Sequence, residues 1–354
     1  MLSLDTLLSG LPPRPEAGEL MAGFVPPPRF AGKGFDDYRP DARHPSQAAA
    51  VQRLREVAAE LAEGTRLGWR GLFRPPRTGS GVYLDGGFGV GKTHLLAALW
   101  NAAPAPRAYL SFDELVYTIG LLGVEGTREL FRGQRLVCVD EWELDDPGNL
   151  RMALAFLRGA LADGARVAAT SNTVPDELGR GRFPQKSFAA EIEELAAAFE
   201  TLRVEGEDFR HRLFRADPGR ALFLDGDAME RAARAAPART LRAPFAALLA
   251  ALGEVHPIRY ATLADSLEGL LVDGVTPIAS MAEGLRWVHF IDKVYDDALP
   301  LAATSRASLG EIFPGDFVAG PFGKKFSRCL SRMEEMLGEG MGTAGNGGRG
   351  TGNG

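Results

Sequence analysis

An apolar run followed at once by a glycine cluster, a lysine and a threonine constrains this chain most. Residues 81–94 read GVYLDGGFGVGKTH, which matches the pattern G-x-x-x-x-G-K-[ST] (the Walker A pattern) from Gly86 to Thr93. The glycines let the backbone curl with its N–H groups pointing inward, beside a helix N-terminus that favours anions. A chance glycine turn is the alternative, but an apolar strand precedes the pattern and a helical stretch follows it. The stretch therefore predicts a phosphate-binding loop, or P-loop.

The residues of this loop have distinct expected contacts. We expect Lys92 to reach the β- and γ-phosphates of a nucleotide, and the hydroxyl of Thr93 to hold Mg²⁺. The predicted nucleotide-binding residues are Gly86, Gly87, Phe88, Gly89, Val90, Gly91, Lys92, Thr93 and His94.

Paired acids end a second apolar strand, LVCVDEWE, 48 residues after the lysine (140 − 92). Asp140, at the carboxyl end of that strand, is placed to hold Mg²⁺ directly or through water. Glu141 beside it can orient and deprotonate the attacking water. An acidic turn after a strand is the alternative, and the P-loop earlier in the chain favours the catalytic interpretation.

A third strand, RVAATSN, ends in polar residues 32 positions further on (172 − 140). Asn172, level with the mouth of the P-loop, can sense a γ-phosphate and position water, so we count it among the catalytic candidates. A helix cap formed by Ser171 or Asn172 is an equally weighted alternative and stays open. The strand RAYLSF, between the P-loop and the acidic pair in sequence, indicates the P-loop branch with an additional central strand. That branch contains the AAA+ ATPases.

An ATPase of this kind needs a cation at the γ-phosphate, supplied in cis or by a neighbouring subunit. Any single candidate is more often an ordinary surface or salt-bridging arginine than a catalytic one. The candidates are Arg180, Arg182, Arg210 and Arg212, with Arg328 and Arg332 in the last helix.

Composition excludes several classes of protein. A net charge of −6 gives no basic footprint, so a dedicated nucleic-acid binder is not expected. Two cysteines and five histidines without ligand spacing predict neither a disulfide scaffold nor a structural metal. The N-terminus lacks the pattern of a signal peptide, and no run of about 18 apolar residues occurs. We therefore expect a cytoplasmic protein without a membrane span.

Strand-like and helical stretches alternate from Pro45 to about residue 215. This predicts an α/β fold with a doubly wound, AAA+-like parallel sheet of five strands covered on both faces. The predicted segments are a Pro/Gly-rich, largely extended N-terminal extension (1–44), the P-loop core (45–220), a smaller, mostly helical or α+β C-terminal domain (221–338) and a disordered Gly-rich tail (339–354).

Taken together, YLDGGFGVGKTHLL, LVCVDEWELDDPGN, VAATSNTVPDELGRGRF, EDFRHR and FSRCLSRMEEM resemble the ZapE-type ATPases, over roughly residues 28–338. These are bacterial P-loop proteins associated with cell division, with mitochondrial relatives. The resemblance implies Mg²⁺-dependent ATP hydrolysis, with the family's lysine, threonine, acidic pair and asparagine at Lys92, Thr93, Asp140–Glu141 and Asn172. Better-known members carry a QRxRF segment where this chain has PQKSF (184–188). If that segment supplies an arginine finger, Lys186 or the shifted Arg180 and Arg182 must replace it here.

We therefore expect a Mg²⁺-dependent ATPase that remodels a protein partner, in cell division by resemblance, and that can assemble with copies of itself. Two alternatives stay open. One is a DNA-linked ATPase such as a helicase loader, against which the acidic charge counts. The other is a nucleotide-gated binding module with little turnover, against which the intact acidic pair argues.

Overall fold

The computed structural model describes residues 1–9, 16–66, 81–87, 89–143, 147–173, 188–206, 222–320 and 322–345. The chain divides into two units, a larger one of residues 15–215 and a smaller one in which residues 1–14 join residues 216–354. This division differs from the predicted segments, because the predicted N-terminal extension is shared between the units. Helix α1 (Leu4–Ser9) belongs to the smaller unit, where the backbone of Leu2 pairs with that of Leu241.

The larger unit is built on a five-stranded parallel sheet, as predicted. Its strands are β1 (Gly81–Asp85), β2 (Arg107–Ser111), β3 (Leu136–Asp140), β4 (Arg166–Ser171) and β5 (Phe199–Arg203), in the order β2-β3-β4-β1-β5. Every residue of β1 and β3 is buried, as expected for strands with both faces covered.

Helices surround this sheet. They are α2 (Ala17–Gly23), α3 (Pro45–Arg66), α4 (Lys92–Ala102), α5 (Phe112–Phe131), α6 (Pro147–Ala162) and α7 (Ala189–Ala197), with 3₁₀ turns at Pro28–Phe30 and Phe35–Asp37. The prediction that residues 1–44 are largely extended is therefore wrong for these turns and for α1 and α2. Helix α5 begins at a capping box in which Ser111 and Glu114 bond each other's backbone N–H groups.

The strand order determines where the candidate residues meet. The strand that lies between β1 and β3 is β4, whereas the RAYLSF strand (β2) lies at the edge of the sheet. The register pairs Asp85 with Ser171 and Ser111 with Asp140 at the carboxyl edge. The P-loop, the acidic pair and the end of β4 therefore emerge side by side from three adjacent strands.

The smaller unit contains a second parallel sheet, with strands β6 (Thr240–Pro244), β7 (Gly269–Val275) and β8 (Leu301–Ser305) in that order. Its further helices are α8 (Gly226–Ala235), α9 (Phe245–Glu254), α10 (Tyr260–Asp265), α11 (Met281–Asp296), α12 (Gly315–Ala319) and α13 (Gly323–Gly345), with 3₁₀ turns at Pro257–Arg259 and Leu309–Glu311. Strands β7 and β8 lie in the runs LEGLLVDGVTPI and LPLAATS. Strand β6 lies between two alanine-rich helical pieces and was not predicted.

The core of the smaller unit is aromatic. The rings of Phe245 and Trp287 meet edge to face with centroids 5.0 Å apart, and Tyr260 and Phe290 pack beside them. The last helix continues to Gly345, past the predicted domain end at 338, and residues 346–354 of the predicted disordered tail lie outside the described residues.

Candidate active site

Two glycines of the P-loop are required by their surroundings. A Cβ on Gly86 would lie 2.2 Å from the carbonyl oxygen of Val204, which leaves no room for a side chain. Gly91 has φ +90°, and a Cβ there would also lie 2.6 Å from the ring of Tyr38. Helix α4 begins immediately afterwards, at Lys92, so the loop leads into a helix N-terminus. Phe88 lies outside the described residues.

Lys92 is buried, with only 8% of its surface exposed, and its ammonium group lies inside the loop. Nζ donates hydrogen bonds to the carbonyl oxygens of Gly86 (2.7 Å) and Gly87 (2.6 Å) and to Oδ1 of Asn172 (2.9 Å). The structure thus brings together two candidates that are 80 positions apart. The side chain of Asn172 faces the lysine, whereas the Ser171 hydroxyl forms a local turn by accepting from the N–H of Thr173.

The carboxylate of Asp140 is 93% buried and is surrounded by donors. Oδ1 accepts from the hydroxyl of Thr170, from the hydroxyl of Thr93 at 3.3 Å and from the N–H of Glu141 at 3.1 Å. Oδ2 accepts from the hydroxyl of Tyr109 at 2.9 Å. Asp140 therefore has a fixed orientation next to Thr93, which is the arrangement expected of two ligands of one cation.

Glu141 has a left-handed backbone, with φ +55°, which is uncommon for a residue other than glycine. The strain is offset by its N–H, which donates both to Asp140 and to Oγ1 of Thr170 at 3.0 Å. Directly afterwards, the N–H of Trp142 donates to the carbonyl oxygen of Thr170 at 2.7 Å. The sharp turn after β3 is thus attached to β4, and it leaves Glu141 partly exposed.

Glu143 is a further acid at this edge and is 95% buried. Its Oε1 accepts a hydrogen bond of 3.0 Å from Nδ2 of Asn172. The residue before it, Trp142, is fully buried against Phe112 and Phe199, with ring centroids 5.3 and 5.8 Å away. Asn172 is therefore held between Lys92 on one side and Glu143 on the other.

A segment from the N-terminal part of the chain covers the P-loop. The hydroxyl of Tyr38 donates to the carbonyl oxygen of Val90 at 2.8 Å, and burial raises the pKa of Tyr38 to about 12. His94 packs against the rings of Phe30 and Tyr38, and its Nε2 lies 3.2 Å from the carbonyl oxygen of Gly34. The structure therefore places His94 against this segment.

The candidate arginines divide into two groups. Arg180, Arg182, Arg210 and Arg212 lie outside the described residues, as does Lys186. Arg328 and Arg332 are buried in the smaller unit, where both donate to the carboxylate of Asp292, Arg328 at 2.9 Å. The two arginines, on α13, and Asp292, on α11, form an interior ion-pair cluster.

The hydroxyl oxygen of Thr93 and the carboxylate oxygens of Asp140 are suitable ligands for Mg²⁺, because this ion is usually held by one or two protein oxygens together with substrate phosphates. Among the described residues, no group of three or more His, Cys, Asp or Glu side chains could form an all-protein metal site. Over the same residues, no helix combines the length and apolarity needed to cross a bilayer.

Four contributors to this geometry were not predicted, namely Tyr38, Tyr109, Glu143 and Thr170. Tyr109, Glu143 and Thr170 lie within recognised strands or motifs. A polar side chain inside or just after a buried strand was the sequence feature that could have identified them. For Tyr109 and Thr170 that signal is visible in RAYLSF and RVAATSN. Tyr38 had no comparable signal, because its contact depends on how a distant segment folds back.

Comparisons with known proteins identify the family of this chain. A family model described as AFG1-like ATPase matches residues 36–341. The chain is 25% identical over 299 residues to the cell division protein ZapE of Escherichia coli K12. The aligned region covers 73% of this chain and 78% of that protein. The same values hold for ZapE of Escherichia coli O157:H7.

Two solved structures match this chain at low similarity. DnaI matches with a TM-score of 0.40 and 16% identity over 53% of this chain and 98% of its own. Domain III of the Thermotoga maritima replication initiation protein DnaA matches with a TM-score of 0.38 and 17% identity, over 52% and 72%. The family model covers most of the sequence, and the protein is therefore a member of the AFG1-like ATPase family, a nucleotide-binding ATPase.

Proposed function

We propose that this ATPase hydrolyses ATP at the carboxyl edge of the larger sheet, with Mg²⁺ as its metal. The observation that carries the proposal is one hydrogen-bonded network that joins the P-loop, β3 and β4. Lys92 bonds Asn172, and Thr93 in the next position bonds Asp140. Residues from three separate segments thus meet at the N-terminus of α4, where a nucleotide phosphate would bind.

The P-loop binds the phosphates through its backbone N–H groups, and Lys92 provides the positive charge. In the present structure the three donors of Lys92 are used by Gly86, Gly87 and Asn172. To contact a phosphate, the ammonium must give up at least one carbonyl partner for a charged oxygen, which is the stronger acceptor. The proposed nucleotide-binding residues are Gly86, Gly87, Phe88, Gly89, Val90, Gly91, Lys92, Thr93 and His94.

Thr93 and Asp140 would hold Mg²⁺, which when bound neutralises charge on the phosphates. Glu141 acts as the general base for the attacking water. The water attacks in line with the bond between the γ-phosphorus and the leaving oxygen. Tyr109 and Thr170 keep the Asp140 carboxylate oriented before metal and nucleotide arrive. Asn172 is the polar residue that reaches the γ-phosphate and the water from β4.

An arginine completes the site by offsetting charge in the transition state. We assign this role to Arg180, Arg182, Arg210 or Arg212, in cis or from a second copy of the chain. Turnover per chain that rises with protein concentration supports a shared site in an oligomer. Turnover independent of concentration, together with loss on substitution of one arginine, supports action in cis.

The similarity to a protein named for cell division supports a role in division. We propose that hydrolysis in this role remodels a protein partner in the cytoplasm. Glu141→Gln tests both the assigned base and the protein partner. The variant should bind ATP but lose turnover. It should also stay bound to its protein partner when ATP is present. Wild-type protein without ATP is the control for that retention. Turnover that survives Glu141→Gln unchanged contradicts the assigned base, and stimulation by single-stranded DNA that weakens with salt contradicts the protein-partner assignment.

A further inference from the structure

Asn172 is fixed at both ends of its amide by groups of opposite charge. Nδ2 donates to the carboxylate of Glu143 at 3.0 Å, and Oδ1 accepts from the ammonium of Lys92 at 2.9 Å. The reverse orientation would place N–H groups against the ammonium and an amide oxygen against the carboxylate. Both contacts would be repulsive, so Glu143 and Lys92 together determine which end of the amide faces the P-loop.

Glu143 is attached to the same strand that carries its partner. Through Trp142, the backbone before Glu143 bonds Thr170 in β4, two residues before Asn172. Glu143 is 5% exposed, and a carboxylate at that depth is costly unless it is hydrogen-bonded. Its bond to Asn172 therefore belongs to a rigid arrangement rather than to a mobile surface contact.

We propose that Glu143 is a positioning residue for ATP hydrolysis, which holds Asn172 with its carbonyl oxygen toward Lys92 and the γ-phosphate position. This inference rests on the proposed function. An amide oxygen facing the reaction centre can accept from Lys92 or from the attacking water, so Asn172 acts on the γ-phosphate through these two groups. Asn172 then orients the cation and the water, and Glu143 holds one of its two amide N–H groups on the side away from Lys92.

The consequence is a separation between binding and turnover. Without Glu143, the Asn172 amide can rotate and donate its N–H to the γ-phosphate, which favours bound ATP but misorients the water. We expect Glu143→Leu to lower kcat at least about tenfold, the effect of losing one hydrogen bond to a charged group. The Kd for ATP should stay the same or fall. Glu143→Gln keeps an acceptor oxygen for Asn172 and should retain most of kcat.

A double-variant series tests this. Kd values for ATP and ADP and the kcat are measured separately for Glu143→Leu, Asn172→Ala and the combined variant, in protein whose circular dichroism is unchanged. We expect strongly non-additive losses of kcat, because both substitutions remove the same interaction. Glu200→Leu is the control, since it removes an ion pair with Arg53 in the same unit away from the site. Additive losses, or full kcat in folded Glu143→Leu, overturn the proposal.

A rescue experiment does not depend on the leucine variant folding. Asn172→Asp places a second carboxylate against Glu143 and should lose activity. Adding Glu143→Gln removes the pair of carboxylates and restores a hydrogen bond with the donor reversed, so it should recover part of the turnover lost in Asn172→Asp. A double variant no more active than Asn172→Asp overturns the proposal. If Lys92→Ala leaves turnover intact, the proposed function itself fails. If Lys92→Ala abolishes turnover and the Glu143 series has no effect, only this inference fails.

Discussion

The hydroxyl of Tyr38 donates a 2.8 Å hydrogen bond to the carbonyl oxygen of Val90, so a residue 52 positions upstream fixes the backbone of the P-loop. The same tyrosine ring occupies the space that a side chain on Gly91 would need. The segment around Tyr38 is attached elsewhere as well, through Asp36 to Arg55 on α3 and through the carbonyl oxygen of Gly34 to His94. The conformation of the loop therefore depends on a part of the chain outside the P-loop pattern.

Tyr38→Phe should weaken ATP binding. The substitution keeps the ring against Gly91 but leaves the Val90 carbonyl without the hydroxyl, a loss of about 0.5–1.5 kcal/mol. We expect the Kd for ATP to rise between about twofold and tenfold. Titration with a fluorescent ATP analogue measures this Kd. Tyr38→Ala, which also removes the ring, should bind ATP more weakly still. Equal affinity for wild type and both variants would show that the loop holds its shape without Tyr38.

Gly91→Ala should destabilise the larger unit and impair nucleotide binding. A left-handed φ costs roughly 1–2 kcal/mol for alanine, and the contact with Tyr38 adds to this. Thermal unfolding with and without ATP tests the prediction, with a lower Tm and a smaller shift on adding ATP expected. Gly18→Ala in α2 is the control, because a Cβ there meets nothing within 4 Å. A Gly91→Ala variant as stable and as responsive as wild type would contradict the geometry at this position.

Thr170→Val should raise the Mg²⁺ concentration needed for half-maximal turnover. Valine is similar in shape but cannot donate to Asp140 or accept from the N–H of Glu141. Loss of such groups around a metal ligand typically costs 10–100-fold in metal affinity or activity. Thr118→Val is the control, because Thr118 is also fully buried and its hydroxyl donates within α5, to the carbonyl oxygen of Glu114. An unchanged Mg²⁺ requirement in Thr170→Val would remove Thr170 from the metal site.

Asp292→Asn should destabilise the smaller unit at neutral pH. Burial by itself raises the pKa of Asp292, but Arg328 and Arg332 outweigh it and hold that pKa below its ordinary value. The substitution leaves two buried guanidinium groups without their carboxylate, at a cost of about 3–5 kcal/mol in the free energy of unfolding. Denaturant unfolding at pH 7 measures it. Asp273→Asn, which removes a partly exposed pair with Arg242, should cost about 1 kcal/mol or less.

The same cluster predicts a pH dependence with a definite sign. A depressed folded-state pKa stabilises the protein above the unfolded pKa of about 4, and that contribution is lost as the pH falls through the folded pKa. The difference in unfolding free energy between wild type and Asp292→Asn should therefore shrink as the pH is lowered from 5 toward 2. A constant difference over this range would mean that the carboxylate does not carry the effect.

Much of the larger unit could be predicted from the sequence, because its strands are short apolar runs that end in recognisable polar residues. Lys92, Thr93, Asp140 and Asn172 meet because the carboxyl ends of neighbouring parallel strands lie at one edge of a sheet. That β4 lies between β1 and β3 depends on strand order, which no local pattern encodes. The partner of Glu143 depends on that order too, and so it could not be assigned.

Contacts between distant segments explain the other differences. The segment around Tyr38 is rich in proline and glycine and has no hydrophobic period, so its 3₁₀ turns and its position over the P-loop are set by tertiary packing. Strand β6 is only five residues long and lies between alanine-rich stretches that favour helix. Its pairing with β7 decided its conformation, and that pairing makes the smaller unit an α/β structure.

ATP turnover by wild type and Lys92→Ala tests the central claim most directly. Both proteins are assayed at several concentrations in Mg²⁺ and again with the metal chelated, with Glu200→Leu as the control for folding and handling. We expect turnover in Mg²⁺ for wild type and for the control, and a loss of roughly 100-fold or more in Lys92→Ala. Turnover that is equal in Lys92→Ala and wild type would contradict a catalytic site at the P-loop.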